Sequence, residues 1–144
     1  MTMTTQPLFR SPPTIMVVDN EPHACQLFEK ILREEGYEVV TAGTGPQALA
    51  LAEQARPQLI LLDLVMPELD GLATLRELRR RGQFCTVIML TVQGTLQTAR
   101  EAMLLGAYDY ITKPFNLEFL KAVVREGLTD HRRHEGRRES ACAL

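Results

Sequence analysis

The chain has 144 residues, enough for one domain with a substantial core but too few for two domains of ordinary size. Its hydrophobic content of 45% and charged content of 24% are typical of a globular protein. The net charge of −2 predicts no direct binding to nucleic acid or to membranes, and no apolar run approaches the ~20 residues that a bilayer crossing needs.

The two ends of the chain differ in composition from the rest. Residues 1–13 are polar, contain three prolines and lack the apolar segment of a secretory signal, so we expect a disordered N-terminal lead. Residues 129–144 carry many charges of both signs, and we expect a solvated tail that extends the last helix, with no second domain after it. Cys25, Cys85 and Cys142 lie far apart, which favours reduced thiols in a cytoplasmic protein.

Between these ends, residues 14–128 alternate between short apolar runs and helical repeats. The runs at 15–18, 37–42, 59–62, 86–90 and 107–112 are predicted strands. Helical patterns follow them and begin near Pro22, Pro46, Leu72, Thr95 and Leu117, the last behind a capping Asn116. Five strand–helix repeats with short connections predict an α/β fold of the flavodoxin-like (βα)5 type, with a central five-stranded parallel sheet in the order 2-1-3-4-5.

The third predicted strand leads into the carboxylate around which we expect the site to form. Four apolar residues, Leu59 to Leu62, run directly into Asp63. Pro67 cannot donate to a sheet ladder and Asp70-Gly71 marks a turn, so the strand must end near Asp63. Open α/β sheets bind ligands at the carboxyl ends of their strands, and Asp63 therefore faces the predicted binding edge.

The predicted strand order brings four more polar residues to this edge. The first strand ends in Asp19 and Asn20, the fourth in Thr91 and the fifth in Lys113. Oxygen ligands around a central carboxylate favour Mg²⁺ with part of its water shell retained. Phosphoryl transfer needs an in-line nucleophile and groups that neutralise negative charge. Asp63 is therefore the candidate nucleophile, Lys113 the candidate cation and the Thr91 hydroxyl a candidate donor.

Four motifs at these strand ends resemble a known family. VVDNEP, LLDLVMPELDG, MLT and DYITKPF occur in the order and spacing of the receiver domain of bacterial two-component response regulators. Residues 93–115 are also similar to receivers of σ54-dependent activators. The resemblance implies that Asp63 accepts a phosphoryl group from a sensor histidine kinase. It implies slow hydrolysis of the aspartyl phosphate and no other turnover reaction.

The resemblance also implies a ligand set and a switch. The implied Mg²⁺ ligands are Asp63, the Val65 carbonyl, the Asn20 side chain and, through water, Asp19. Tyr110 matches the family's switch aromatic, which would respond together with Thr91 on the face formed by the fourth helix, fifth strand and fifth helix. That face would bind a second copy of the chain. The output would come from a downstream protein or from an output domain lost from a longer regulator.

Two residues depart from the receiver pattern. Asn20 stands where a carboxylate is usual, and Val92 stands where a smaller residue is usual. An amide brings only a dipole to a metal, and the bulk of Val92 narrows access to the site, so slower phosphorylation is expected. Glu21 is adjacent to Asn20, but side chains alternate along a strand and Glu21 is expected to point elsewhere. A phosphorylation-independent pseudo-receiver that acts as a protein-interaction module is therefore the second hypothesis.

Two enzyme classes share part of the pattern. Residues 43–48, GTGPQA, fit the dinucleotide-binding pattern GxGxxA after a strand, with Asp63 about 20 positions further on. That segment follows the second strand, which the predicted order places at the sheet edge, and it leaves Thr91 and Lys113 without roles. A haloacid-dehalogenase-like phosphatase also uses a strand-end aspartate, but Val65 occupies the position of its second aspartate.

Overall fold

The structure is a computed structural model that describes residues 11–92 and 95–143, with side chains placed up to residue 131. The first ten residues of the expected lead and the side chain of Cys142 lie outside the described part. Cys25 and Cys85 are free thiols. Across the described ranges, none of the helices combines the length and apolar character that a membrane span requires.

Strands and helices alternate along the described chain as predicted. The strands are β1 (Thr14–Val18), β2 (Glu38–Ala42), β3 (Leu59–Leu62), β4 (Thr86–Thr91) and β5 (Asp109–Thr112). The helices are α1 (Pro22–Glu34), α2 (Gly45–Ala55), α3 (Gly71–Arg80), α4 (Leu96–Leu104) and α5 (Leu117–Ala143). The strands pair in parallel in the order β2-β1-β3-β4-β5, so the predicted flavodoxin-like fold is confirmed.

The central strands are apolar because helices cover both faces of the sheet. Every residue of β3 and β4 is buried. Helices α2, α3 and α4 cover one face, on which Met16 and Ile60 lie. Helices α1 and α5 cover the other face, on which Ile15 and Leu61 lie. Successive strand residues point to opposite faces, and both faces therefore need apolar side chains.

Two strands begin later than the sequence predicted. β2 begins at Glu38 because the Tyr37 N–H donates to the Leu32 carbonyl at the end of α1, at 3.2 Å. The run of residues 107–112 becomes a strand only from Asp109, because the Ala107 N–H donates to the Ala102 carbonyl and closes α4. In both cases the end of a helix takes the N–H group that a strand would use.

Polar caps fix where the helices beside the predicted binding edge begin. The Asp70 carboxylate accepts a hydrogen bond from the Ala73 N–H at 2.8 Å and starts α3. The Asn116 side chain accepts one from the Phe119 N–H at 3.1 Å, as expected for a cap. Thr95 forms a capping box at the start of α4. These caps set where the loops that follow β3 and β5 end.

Arg79, near the end of α3, connects α3 to two other segments through backbone carbonyls. It donates to the carbonyls of Leu105 at 3.1 Å and Gly106 at 3.0 Å, just after α4. It also donates to those of Gln83 at 2.8 Å and Cys85 at 2.9 Å, just before β4. Burial lowers the pKa of Arg79 from its ordinary value. The guanidinium thus holds the end of α4 and the start of β4 against α3.

Candidate functional site

Asp63 lies directly after β3, at the carboxyl edge of the sheet. Its N–H donates to the Val18 carbonyl at 2.9 Å, which continues the pairing of β1 and β3 past the last strand residue. One carboxylate oxygen accepts a hydrogen bond from the Val65 N–H at 3.3 Å. Asp63 is only 8% exposed, so its carboxylate is largely removed from water.

Asp19 and Lys113 form an ion pair at the same edge. Asp19 follows β1, is 4% exposed, and accepts a hydrogen bond from the Glu21 N–H at 2.9 Å through Oδ1. Its Oδ2 lies 3.0 Å from Nζ of Lys113, which follows β5. The Lys113 N–H donates to the Thr91 carbonyl at 2.7 Å and fixes the lysine beside the end of β4. The edge therefore brings together carboxylates and a cation, as the strand order predicted.

The pairing within this group was not predictable from the sequence. The site's ammonium group bonds to Asp19 and not to Asp63, the candidate nucleophile. Cys25, which sequence analysis gave no role, donates its thiol hydrogen to the Asp19 carbonyl at 3.3 Å. Both contacts join residues that are distant in the sequence or lie on different elements, so no local pattern indicates them.

The environment of Asp63 favours its neutral form. Burial raises the pKa of Asp63 above its ordinary value, and the negative charge of Asp19 raises it further. The Lys113 ammonium and the N–H groups of Val65 and Leu64 act in the opposite direction. The net shift is upward, so the ionised carboxylate disfavours the folded state. A cation or an electrophilic phosphorus atom at this carboxylate would relieve that penalty.

Thr91 and Tyr110, the predicted switch pair, lie on adjacent strands. Thr91 ends β4 and is fully buried. Tyr110 lies in β5, half-buried, and its hydroxyl is 3.1 Å from Oγ1 of Thr98 in α4. Thr98 was not predicted to belong to the site, and it is the N3 residue of the capping box that Thr95 begins. The hydroxyl contact links β5 to α4 beside the site.

The two departures from the receiver pattern both lie at the surface. Asn20 is exposed and occupies a bend between β1 and α1, and Glu21 after it is exposed as well. Strand alternation therefore does not govern the direction of Glu21, because β1 ends at Val18. Val92 is 64% exposed directly after β4.

The donor atoms at this edge fit a hard divalent cation. Asp19 and Asp63 supply two buried carboxylates, and the exposed Asn20 and Val65 supply an amide oxygen and a backbone carbonyl nearby in sequence. Within the described residues no group of three or more His, Cys, Asp or Glu side chains could hold a metal ion. A cation here would therefore keep several waters, which is typical of Mg²⁺ sites in proteins.

The dinucleotide pattern at residues 43–48 lies at a position in the fold that does not allow dinucleotide binding. β2 is an edge strand, away from the point between β1 and β3 where the strand order reverses. Gly45 is buried, and a Cβ built on it would lie 2.6 Å from Oγ1 of Thr74 and 2.8 Å from Cβ of Leu69. The backbone that a pyrophosphate would approach is therefore covered by protein.

The chain belongs to the receiver-domain family of two-component response regulators. A family model described as the response regulator receiver domain matches residues 15–125. That range contains nearly the whole sheet, all the residues of the site described above and the first third of α5. The receiver predicted from the strand-end motifs is therefore confirmed.

Relatives with similar sequences include transcriptional regulators that are longer than this chain. The transcriptional regulatory protein ZraR of Escherichia coli strain K12 is 38% identical over 117 residues, which cover 79% of this chain and 26% of ZraR. The regulator RpaA of Synechocystis is 40% identical over 115 residues, which cover 78% of this chain and 48% of RpaA. The chain thus spans about half or less of these relatives.

A solved receiver has the same fold. The receiver domain of NtrX from Brucella abortus superposes with a TM-score of 0.74 at 38% identity, over 80% of this chain and 98% of that domain.

Replacing Asp63 by asparagine is expected to raise the melting temperature of the metal-free protein at neutral pH. Because the pKa of Asp63 is raised, the folded state binds its proton more tightly than the unfolded state does. The ionised carboxylate therefore destabilises the fold above that pKa. As the pH falls from that raised pKa towards the ordinary value of 3.8, the wild type regains this stability and the melting temperatures of the two proteins converge. Thermal unfolding of both proteins in the presence of a chelator, from neutral to acidic pH, measures the difference between their melting temperatures.

The control is Asp70→Asn, an exposed cap in the same loop, because asparagine caps a helix about as well as aspartate. A neutral-pH melting temperature for Asp63→Asn at or below that of the wild type would contradict the expected direction.

Proposed function

We propose that this receiver accepts a phosphoryl group from a sensor histidine kinase onto Asp63 in the cytoplasm. The observation that carries the proposal is a buried aspartate at the end of the central strand, beside a second buried aspartate whose cation is Lys113, at 3.0 Å. An aspartate with a purely structural role would be stabilised by an ion pair with that lysine. Here Asp63 accepts a backbone N–H at 3.3 Å and keeps a raised pKa.

The transfer needs little beyond this arrangement. An Asp63 oxygen forms the bond to phosphorus while the bond from phosphorus to the kinase imidazole nitrogen breaks, and the imidazole leaves with the electron pair. Lys113 neutralises charge on the phosphoryl oxygens, and the Thr91 hydroxyl donates a hydrogen bond to one of them. Attack by water on the aspartyl phosphate later returns the carboxylate and releases phosphate.

Mg²⁺ is the proposed cofactor. Asp63, the Asn20 side chain and the Val65 carbonyl would hold the ion, with Asp19 acting largely through water. When bound, Mg²⁺ supplies positive charge next to the phosphoryl oxygens. The two buried carboxylates support this assignment, since a divalent ion offsets their mutual repulsion.

We propose that Thr91 and Tyr110 transmit phosphorylation to α4. An aspartyl phosphate adds about −1 or more of net charge and new acceptor oxygens. The Thr91 hydroxyl turns towards these oxygens, and the space it leaves lets the ring of Tyr110 move inward. That movement breaks the contact between the Tyr110 hydroxyl and Thr98 and shifts an existing equilibrium between two arrangements of α4.

The proposed output surface is the outward side of α4, with β5 and α5 beside it. Leu96 is 89% exposed and Leu104 81% exposed, and Met103 is exposed between them along the helix. Among the α4 residues only Ala102 is buried. Positions 96, 103 and 104 share one side of a helix, so α4 presents an apolar strip that a second copy of the chain would cover.

The proposed domain division remains residues 14–128 for the receiver, with a charged extension of the last helix after it. Among residues up to 131, whose side chains are described, the last buried residue of the core is Leu128, and α5 continues to Ala143, which supports this division. An output protein, or an output domain in a longer regulator, would then read the state of α4.

The second candidate is a pseudo-receiver that binds partners without phosphate. Two observations favour it: an amide at Asn20 in place of a carboxylate, and the exposed bulk of Val92 beside the site. Phosphate labelling separates the two candidates.

Asp63→Asn is expected to abolish incorporation of hydroxylamine-labile phosphate from acetyl phosphate and Mg²⁺, because no other described residue lies at the end of the central strand beside Lys113 and Thr91. Intact mass spectrometry before and after incubation measures it. Asp70→Asn, in the same loop, should label like the wild type. Wild-type labelling of Asp63→Asn would disprove the assignment, and an unlabelled wild-type protein would support the pseudo-receiver.

Asn20→Asp is expected to tighten Mg²⁺ binding by about ten- to thirtyfold. A unit charge at ~4 Å and an effective dielectric near 20 contributes roughly 4 kcal/mol, and desolvation and ligand repulsion leave about 1–2 kcal/mol of that. Calorimetric titration measures the affinity, and the wild type should need millimolar metal. Glu21→Gln, at the adjacent exposed position, should bind like the wild type. If Glu21→Gln loses the metal and Asn20→Asp gains nothing, Glu21 is the ligand.

Thr91→Ala is expected to accept phosphate without the dimerisation that phosphate induces in the wild type, because it lacks the hydroxyl that couples the site to Tyr110. Light scattering of labelled and unlabelled protein measures the oligomeric state. Thr112→Ala is the matched control, since Thr112 pairs with Thr91 in the sheet but is exposed. Dimerisation of labelled Thr91→Ala at the wild-type level would exclude this coupling.

A further inference from the structure

Gly71, the first residue of α3, packs against the strand end that carries Asp63. In the sequence, Asp70-Gly71 predicts only a turn. In the structure it is buried, and its N–H donates to the Leu64 carbonyl at 2.8 Å. The chain therefore leaves the sheet after Asp63, forms the loop of residues 65–70, and returns to the same point to begin α3.

There is no room for a side chain at this contact. A Cβ built on Gly71 would lie 2.3 Å from the Asp63 carbonyl oxygen, 2.8 Å from the Leu64 Cα and 3.0 Å from the Asp63 carbonyl carbon. All three are backbone atoms, so no side-chain rotation can make space. The backbone of Gly71 does not have a positive φ, so what matters here is the missing Cβ and not conformational freedom.

We propose that Gly71 is a positioning residue for phosphoryl transfer to Asp63. The start of α3 rests directly on the peptide that joins Asp63 to Leu64, and this contact sets the direction in which the Asp63 carboxylate leaves the strand. The same peptide leads to Val65, whose N–H bonds to that carboxylate. The inference rests on the proposed function, because it concerns how well the nucleophile and the metal ligands are placed.

A second glycine provides a matched comparison. Gly45, at the start of α2, also has no room for a side chain, because a built Cβ would lie 2.6 Å from Oγ1 of Thr74, 2.8 Å from Cβ of Leu69 and 2.9 Å from the Leu69 carbonyl oxygen. These three contacts involve Leu69 in the same loop and Thr74 in α3, and none is with an atom of Asp63. Gly43 offers space, since its nearest neighbour would be Oε1 of Gln47 at 3.5 Å.

The experiment compares Gly71→Ala, Gly45→Ala and Gly43→Ala in thermal unfolding, calorimetric Mg²⁺ titration and the rate of labelling by acetyl phosphate. Gly71→Ala and Gly45→Ala are both expected to melt at lower temperature. At a temperature where all three are folded, only Gly71→Ala should lose Mg²⁺ affinity and label about ten- to a hundredfold more slowly, as misplacement of a reacting group by ~1 Å does. Gly43→Ala should match the wild type in every measurement.

Wild-type Mg²⁺ affinity and labelling in folded Gly71→Ala would overturn the proposal. Equal losses in Gly45→Ala would also overturn it, since loop stability alone would then explain both. If the wild type binds Mg²⁺ but is not labelled, the proposed function fails. The Mg²⁺ titration then decides by itself whether Gly71 positions the metal ligands at Asp63. If Gly71→Ala does not fold, an ester analogue with glycolic acid at position 71 can be used. It replaces the N–H group by an ester oxygen and adds no side chain. This analogue is expected to bind Mg²⁺ several-fold more weakly, and unchanged affinity would overturn the proposal.

Discussion

The ion pair between Lys113 and Asp19 sets the electrostatics on which the rest of the site depends. Two carboxylates, 4% and 8% exposed, lie at the ends of neighbouring strands, and their desolvation and mutual repulsion both oppose folding. One lysine from the far side of β4 offsets part of this penalty. The lysine bonds to Asp19 at 3.0 Å and not to Asp63, whose pKa is raised by burial and then by the charge of Asp19. The strand order thus places two carboxylates side by side, which destabilises the fold, and it also supplies the lysine that offsets part of this destabilisation.

The sheet also determines which parts of the molecule can respond to events at this edge. Tyr110 packs on the face covered by α2, α3 and α4, and α4 contributes only Ala102 to that core. The opposite face is filled by α1 and by α5, whose buried positions extend over Leu120, Val123, Val124 and Leu128. A helix that is attached by one buried residue and a few polar contacts is easier to displace than a helix with four buried apolar side chains. The weakly attached helix also exposes three of its apolar side chains, Leu96, Met103 and Leu104.

The sequence was sufficient for the fold and for the identity of the residues at the edge, and insufficient for how those residues pair. Apolar runs that end in Asp19, Asp63 and Thr91 define buried strands, and the strand order follows from short right-handed connections. The bond of Lys113 to Asp19 and the contact between Tyr110 and Thr98 depend on side-chain rotamers at a partly hydrated edge. Such rotamers differ by small free energies that no periodic pattern encodes. The late start of β5 has the same origin, a competition for N–H groups at a helix end.

The four hydrogen bonds of Arg79 leave the sequence of α4 free to diverge. All of its acceptors are backbone carbonyls, which every residue type provides, so replacing side chains on the outer side of α4 does not weaken the anchor. The local sequence requirement lies at Gly106, where φ is +86° and a Cβ would approach Nε of Arg79 to 3.4 Å. Substitutions at the exposed Leu96, Arg100 and Leu104 would therefore change the surface that α4 presents and leave the helix in the same place. Two related domains could thus differ in the outer surface of α4 and share its position.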